Sequence, residues 1–203
     1  MQQLTWRAQT FCFETAGPAI DFIAETLREQ PVRRNGLAAA ASVLQRQPKL
    51  QTRRADKMAE TIELLRAEGL DAAKLAAAHP DILSRSLESM KAKLRFLRNC
   101  MGVSNEQLNT AWGMLLTVPQ RRLRERFFYS RLCDAGFLQR YSATTMAGPP
   151  DAAFVARVHG CTPEELEEGE LEEYHTLIAS PEFEAFCAAE EAKLTAEAAL
   201  SRM

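Results

Sequence analysis

"AAAHPDIL" occupies residues 76–83 and decides how this sequence is read. Its neighbours are Ala, Leu, Glu, Lys and Arg, all strong helix formers, yet proline inside a helix costs roughly 3 kcal/mol relative to alanine. Pro80 is therefore expected at a boundary. It ends a short helix begun at Asp71 and pushes His79 toward extended geometry. It also opens the next long helix at a first-turn position, where its missing N–H is no loss. On this reading His79 is a helix-end residue and not a catalytic base.

The same punctuation recurs along the chain. Prolines stand at 48, 80, 119, 150 and 181, in steps of 32, 39, 31 and 31, inside the window of helical arrays. The stretches after Pro48, Pro80 and Pro119 close on "LLRAEGLD", "FLRNCMGVS" and "RLCDAGF", each with a leucine four or five residues before a glycine. Gly69, Gly102 and Gly136 read as left-handed helix stops. Two residues past a glycine, Asp71, Ser104 and Thr162 offer capping side chains. Gln107 and Glu165 complete capping boxes, while the Gly136 unit has no such cap. Leu83, Leu87, Met90, Leu94, Leu97 and Met101 fall in alternating steps of four and three, one continuous apolar stripe. No alternating pattern long enough for a strand interrupts it. A single hairpin cannot bury such a stripe, and stacked neighbours can. The expected fold class is all-α: a right-handed helical-repeat solenoid of helix, short helix, helix units with an acidic helical extension. The expected division is 1–30 for a lead-in and first helix, 31–160 for the repeats and 161–203 for acidic C-terminal helices.

Composition bounds the function. At 203 residues with 46% hydrophobic and 26% charged residues, the chain can bury a sizeable core. No apolar run approaches a membrane span, so no membrane partner is expected. The first thirty residues lack both a secretory apolar core and an Arg-rich, acid-free transit peptide. Five scattered cysteines, at 12, 100, 133, 161 and 187, argue against a disulfide framework and point to a reducing compartment. His79, His159 and His175 are isolated, and no H-E-x-x-H, Walker, G-x-S-x-G or dinucleotide motif occurs. His159 and Cys161 make only two ligands, too few for a zinc site. No enzyme, cofactor or metal is expected.

Charge is unevenly distributed. Residues 1–140 hold 22 Lys/Arg against 14 Asp/Glu, and residues 141–203 hold 3 against 13. A basic body suits a polyanion. Arg121, Arg122, Arg124 and Arg126 fall within seven residues beside Phe127, Phe128 and Tyr129. Lys91, Arg95 and Arg98 recur at i, i+4, i+7, and Arg46, Lys49, Arg53, Arg54 and Lys57 surround Pro48. These are the candidate phosphate contacts. The alternative is a solvated face whose arginines pair with Glu88, Glu125 or the acidic tail. At least two of the three aromatics are expected in the core. The acidic end reads as two capped helices, opened by Thr162–Pro163 and Ser180–Pro181. Leu166, Leu171, Tyr174, Leu177, Ile178, Phe183, Phe186 and Leu194 would cap the stack or dock a protein partner. So much glutamate repels nucleic acid, and a tail folded onto the chain's own arginines would mask them.

The run "EGLDAAKLAAAHPDILSRSLESMKAKLRFLRNCMGVSNEQL", residues 68–108, resembles the mitochondrial transcription termination factor family, whose units place a proline before an apolar pair, here Pro80 with Ile82 and Leu83. "VPQRRLRERFFYSRLCDAGFLQRYS" is similar to that family's last repeats and "DAAFVARVHG" to its closing unit, so the likeness covers roughly residues 40 to 160. The resemblance implies a mitochondrial protein, or a chloroplast one, shaped as a half-doughnut. Its basic concave side would bind double-stranded DNA or structured RNA in transcription, RNA metabolism or ribosome assembly. Because the overall charge is low for tight duplex binding, structured RNA, ribosomal RNA foremost, is the expected partner. The other reading is a non-catalytic structural subunit of a large organellar assembly, held by protein contacts through residues 161–203.

Overall fold

Pro48, Pro80, Pro119, Pro150 and Pro181 stand at element boundaries, and the pieces between are helical, while Pro18 lies inside a helix. The computed structural model describes residues 13–28 and 36–200, and no strand occurs among them. The remainder of the expected lead-in, including Cys12, lies outside the described residues. The chain forms two compact units, divided after Leu87.

The first unit contains α1 (Phe13–Arg28), α2 (Gly36–Arg46), a 3₁₀ turn at Pro48–Thr52, α3 (Ala55–Ala67), α4 (Ala72–Ala78) and a second 3₁₀ turn at Pro80–Ser84. Gly69 takes φ +73°, and the Leu70 amide reaches back to the Leu65 carbonyl at 2.9 Å, the bond of a left-handed helix stop. Asp71 then caps α4 by accepting from the Lys74 amide at 2.9 Å. Ala72, Ala73, Ala76 and Ala77 are all buried, small enough for α4 to pack against both α1 and α3.

Pro80 ends α4 as expected, with His79 at φ −131°, but it does not open the long helix. It opens the 3₁₀ turn, Arg85 is extended, and α5 (Leu87–Arg95) begins afterwards. The cause is local: the Ser84 hydroxyl donates to the Asp81 carbonyl at 2.7 Å, satisfying locally a carbonyl that a continuing helix would use. Thr52 does the same to Lys49 at 3.2 Å, so both prolines lead into the same turn. The turn buries the apolar pair Ile82 and Leu83 completely. Like parts of the two repeats also meet: Arg53 Nη2 donates to the Arg85 carbonyl at 2.9 Å across a separation of 32 residues, the step between Pro48 and Pro80.

The second unit runs from Glu88. A π-helical turn, Phe96–Cys100, extends α5, and Gly102 (φ +66°) stops it. Met90, Leu94, Leu97 and Met101 of the expected stripe are buried, while Leu87, in the first unit, is half-buried. The Ser104–Gln107 capping box is formed at α6 (Asn105–Leu108). After a 3₁₀ turn at Ala111–Leu116 come α7 (Gln120–Cys133), α8 (Phe137–Arg140), α9 (Ala143–Ala147), α10 (Asp151–His159), α11 (Glu168–Ile178) and α12 (Pro181–Leu200).

Two further expected boundaries differ. Gly136 is not left-handed, with φ −89°; the stop belongs to Asp134, whose carboxylate accepts from the Gly136 amide at 3.1 Å in an Asx turn. The cap missing from that unit is Ser142, which accepts from the Thr145 amide at 3.2 Å and starts α9. Thr162–Pro163 opens a single turn rather than a helix: Glu165 bonds back to the Thr162 amide at 2.9 Å. The helix itself starts at Glu168 behind a second box, Glu167 with Glu170. Ser180 caps α12 by accepting from the Phe183 amide at 3.2 Å. Phe127 and Tyr129 are buried, Phe127 edge-to-face with Phe96 and Tyr129 edge-to-face with Phe154 and Tyr174, and Phe128 is half-buried. Tyr174 and Phe183 are core residues; the Leu194 side chain lies outside the described residues.

Candidate nucleic-acid interface

The arginines of α7 divide by angle. At about 100° per residue, Arg121 and Arg124 lie near one another on the helix, and Arg122 and Arg126 share a different side. Each pair meets its own carboxylates. Arg121 Nε donates to Glu125 at 2.8 Å and lies 3.8 Å from Glu184 of α12; Arg124 Nη1 donates to Glu191 of α12 at 2.6 Å. Arg122 and Arg126 both reach Asp151 Oδ1 of α10, at 3.3 and 2.6 Å.

Arg126 is enclosed. It is 0% exposed, donates to the Met146 carbonyl at 2.7 Å and the Pro149 carbonyl at 2.6 Å, and stacks 5.0 Å over the Phe154 ring. A guanidinium so held presents nothing to a phosphate. Burial opposes the charge of Asp151, but the hydrogen bonds from Arg126 and Arg122 outweigh it and hold the carboxyl below the usual carboxylate range.

The same device recurs before other prolines. Lys93, 2% exposed, donates to the carbonyls of Leu116 and Val118 at 2.8 and 2.5 Å, just before Pro119. Arg46 donates to the carbonyls of Ala78 and Ala77 at 3.2 and 2.5 Å, just before Pro80. A proline offers no N–H to the carbonyls behind it, so a cation from an earlier helix supplies the donor and offsets the negative end of the short segment. The sequence reading missed this role. Its signal is a Lys or Arg 20 to 32 residues before a pre-proline turn, which is too common to single out.

The other candidate cations lie nearer the surface. In the first unit Lys49 is exposed, Arg54 forms a bidentate pair with Asp56 at 3.0 and 2.7 Å, and Lys57 pairs with Glu60. Arg53 and Arg54 border a cleft of about 520 Å³ at the start of α3. In the second unit Lys91 meets Glu88 only at 3.5 Å. Arg95, one turn on, has no carboxylate partner among the described residues. Arg98, on the π-helical turn, donates to Asn105 Oδ1 at 2.8 Å. Among the candidate cations of this unit, Lys91 and Arg95, both half-buried, are thus the least tied to the fold by side-chain bonds.

The histidines are also placed. His79 closes α4; burial, and then Arg46 beside it, push its pKa down. His159 Nε2 lies 2.8 Å from the Tyr129 hydroxyl and its Nδ1 lies 3.1 Å from Glu170, so it ties α10 to α7 and α11. Cys161 Sγ faces the Ala156 carbonyl at 3.4 Å. No group of three or more metal-binding side chains occurs among the described residues, and none of the described helices is long and apolar enough to cross a membrane.

No protein-family model matches the chain. The chain is similar to one protein named "Transcription termination factor MTEF18, mitochondrial", from Arabidopsis thaliana. The two are 33% identical over 91 residues, which is 44% of this chain and 16% of that protein. The match thus spans about a sixth of the relative's length.

Proposed function

We propose that this chain is a helical-repeat protein of the mitochondrial transcription termination factor type, its repeats continuing as a solenoid, that binds nucleic acid in the gene expression of an organelle. Structured RNA, ribosomal RNA foremost, is the preferred ligand over double-stranded DNA, and the mitochondrion the preferred compartment over the chloroplast. The protein acts by binding and not by catalysis. What supports the reading is the repeated unit itself, in a chain that shares 33% identity over 91 residues with a protein named as a mitochondrial transcription termination factor. Phosphates would be taken by Lys91, Arg95 and Arg98 on α5 and its extension and by Arg121 and Arg124 at the start of α7. Lys49, Arg53 and Arg54 would form a separate patch in the first unit. Arg46, Lys93 and Arg126 act as struts inside the fold.

A second reading, a structural subunit held by protein contacts, is favoured by the ion pairing of Arg121, Arg122 and Arg124 within the chain and by the exposed glutamates of α11 and α12. Titrating the full chain against an RNA hairpin and a DNA duplex of equal length, at several salt concentrations, separates the two. The nucleic-acid reading expects the hairpin to bind more tightly. Its log affinity should fall with log salt by about 0.7 to 0.9 per phosphate contact. Failure to bind either probe at low salt leaves the subunit reading.

A further inference from the structure

The acidic helix α12 lies on the α7 face that carries Arg121 and Arg124. Glu184 and Glu191 are seven residues apart, two helical turns, and so share one side of α12. They meet two arginines that are themselves three apart on α7. The seat beneath them is aromatic: Phe128 contacts Phe183 and Phe186, with ring centroids 5.5 and 5.2 Å apart. Arg121 stands 6.0 Å over the Phe183 ring.

The fit is incomplete. A cleft of about 350 Å³ remains between the helices, lined by Arg121, Arg124, Phe183, Glu184, Cys187 and Glu191. Arg124 is 8% exposed, yet it holds Glu191 through Nη1 while its buried Nε has no hydrogen-bond partner among the described residues. A buried guanidinium donor left unmet destabilises the docked state, and a phosphate can engage the Nε and Nη edge together, as this single carboxylate contact does not. The Arg121–Glu184 pair is about two-thirds exposed on both sides, where an ion pair contributes little and salt screens it.

Resting on the nucleic-acid reading above, we propose that α12 is a displaceable cover. Its Glu184 and Glu191 carboxylates occupy the arginines that a nucleic-acid backbone takes when it binds, so binding must first lift the helix from α7. The acidic end is then a built-in competitor that weakens and sharpens binding, and the opposite charges of the two ends of the chain have a common purpose.

The test uses the full chain and an RNA hairpin. The variant Glu184→Gln/Glu191→Gln releases the arginines. Glu164→Gln/Glu172→Gln removes the same charge at two exposed positions elsewhere. The cover expects the first variant to bind about three- to tenfold more tightly than the second at low salt, with a salt slope steeper by about 0.7 to 0.9 for each arginine freed. Equal affinity of the two variants overturns the cover and leaves the nucleic-acid reading standing. No binding by the natural chain or either variant overturns both. A second readout follows α12 itself: the Cys100 thiol donates to Glu190, and burial, then that contact, push its pKa up to about 12. Lifting α12 lowers it and speeds alkylation of Cys100 when RNA is added, whereas an unchanged rate at saturating RNA overturns the displacement.

Discussion

At position 126 a guanidinium with no exposed surface holds two carbonyls and a carboxylate. Replacing Arg126 with Met leaves all three without that donor; Asp151, 39% exposed, keeps Arg122 and water, so the loss comes mainly from the two carbonyls, about 1–3 kcal/mol for each left buried and unmet. Urea unfolding of the full chain measures the loss; Arg126→Lys is expected to recover only part of it, since one ammonium cannot span three acceptors as a planar fork does. The partner carboxylate gives a pH signature. Because the folded pKa of Asp151 is held below its ordinary value, its contribution is present above the ordinary carboxylate range and lost as pH falls through the folded value. The stability advantage of the natural chain over Asp151→Asn is therefore expected at pH 7 and should shrink below about pH 4. A constant advantage across that range contradicts the pairing. Part of this was legible in the sequence. The angles of 121, 122, 124 and 126 already divide the cluster over two sides of a helix, but nothing local shows that Asp151, 25 residues on, waits on one of them.

At the scale of the element, glycine and proline carried the reading because each acts through its own backbone. Gly69, Gly102 and Gly160 adopt positive φ, as a glycine past a helix should. Gly136 looked the same in sequence and is not, because the neighbouring Asp134 side chain closes α7 first. The distinction is measurable. Alanine at 160 meets no atom within 4 Å, so its cost is the left-handed backbone alone, about 1–2 kcal/mol. Gly136→Ala needs only a few tenths of an ångström from the far end of the Arg140 side chain, which is ion-paired to Asp134, and is expected to cost less. Thermal unfolding of the two variants decides it, and equal losses would contradict the assignment of the stops. In sequence a proline suits a 3₁₀ turn as well as a helix start, so Pro48 and Pro80 alone do not separate the two. Thr52 and Ser84 decide between them through side-chain bonds that apolar periodicity does not register.

At the scale of the whole molecule, a helical period repeated along the chain made the all-α class legible, since each stripe needs a neighbour to cover it. The site was less legible because the basic side chains serve three ends. Arginine and lysine cap pre-proline carbonyls at Arg46, Lys93 and Arg126, pair with an acidic helix at Arg121 and Arg124, and lie half-buried, tied weakly or not at all to carboxylates among the described residues, at Lys91 and Arg95. Composition counts them alike. The last group is the least tied of the three by side-chain bonds, so it offers the cleanest trial of nucleic-acid binding. The deciding measurement is the salt dependence of RNA-hairpin affinity for the full chain and for Lys91→Gln/Arg95→Gln. The expected result is weaker binding with a slope flatter by about 1.4 to 1.8 log units for the pair, at unchanged stability. Identical affinity and slope in the two proteins would contradict it.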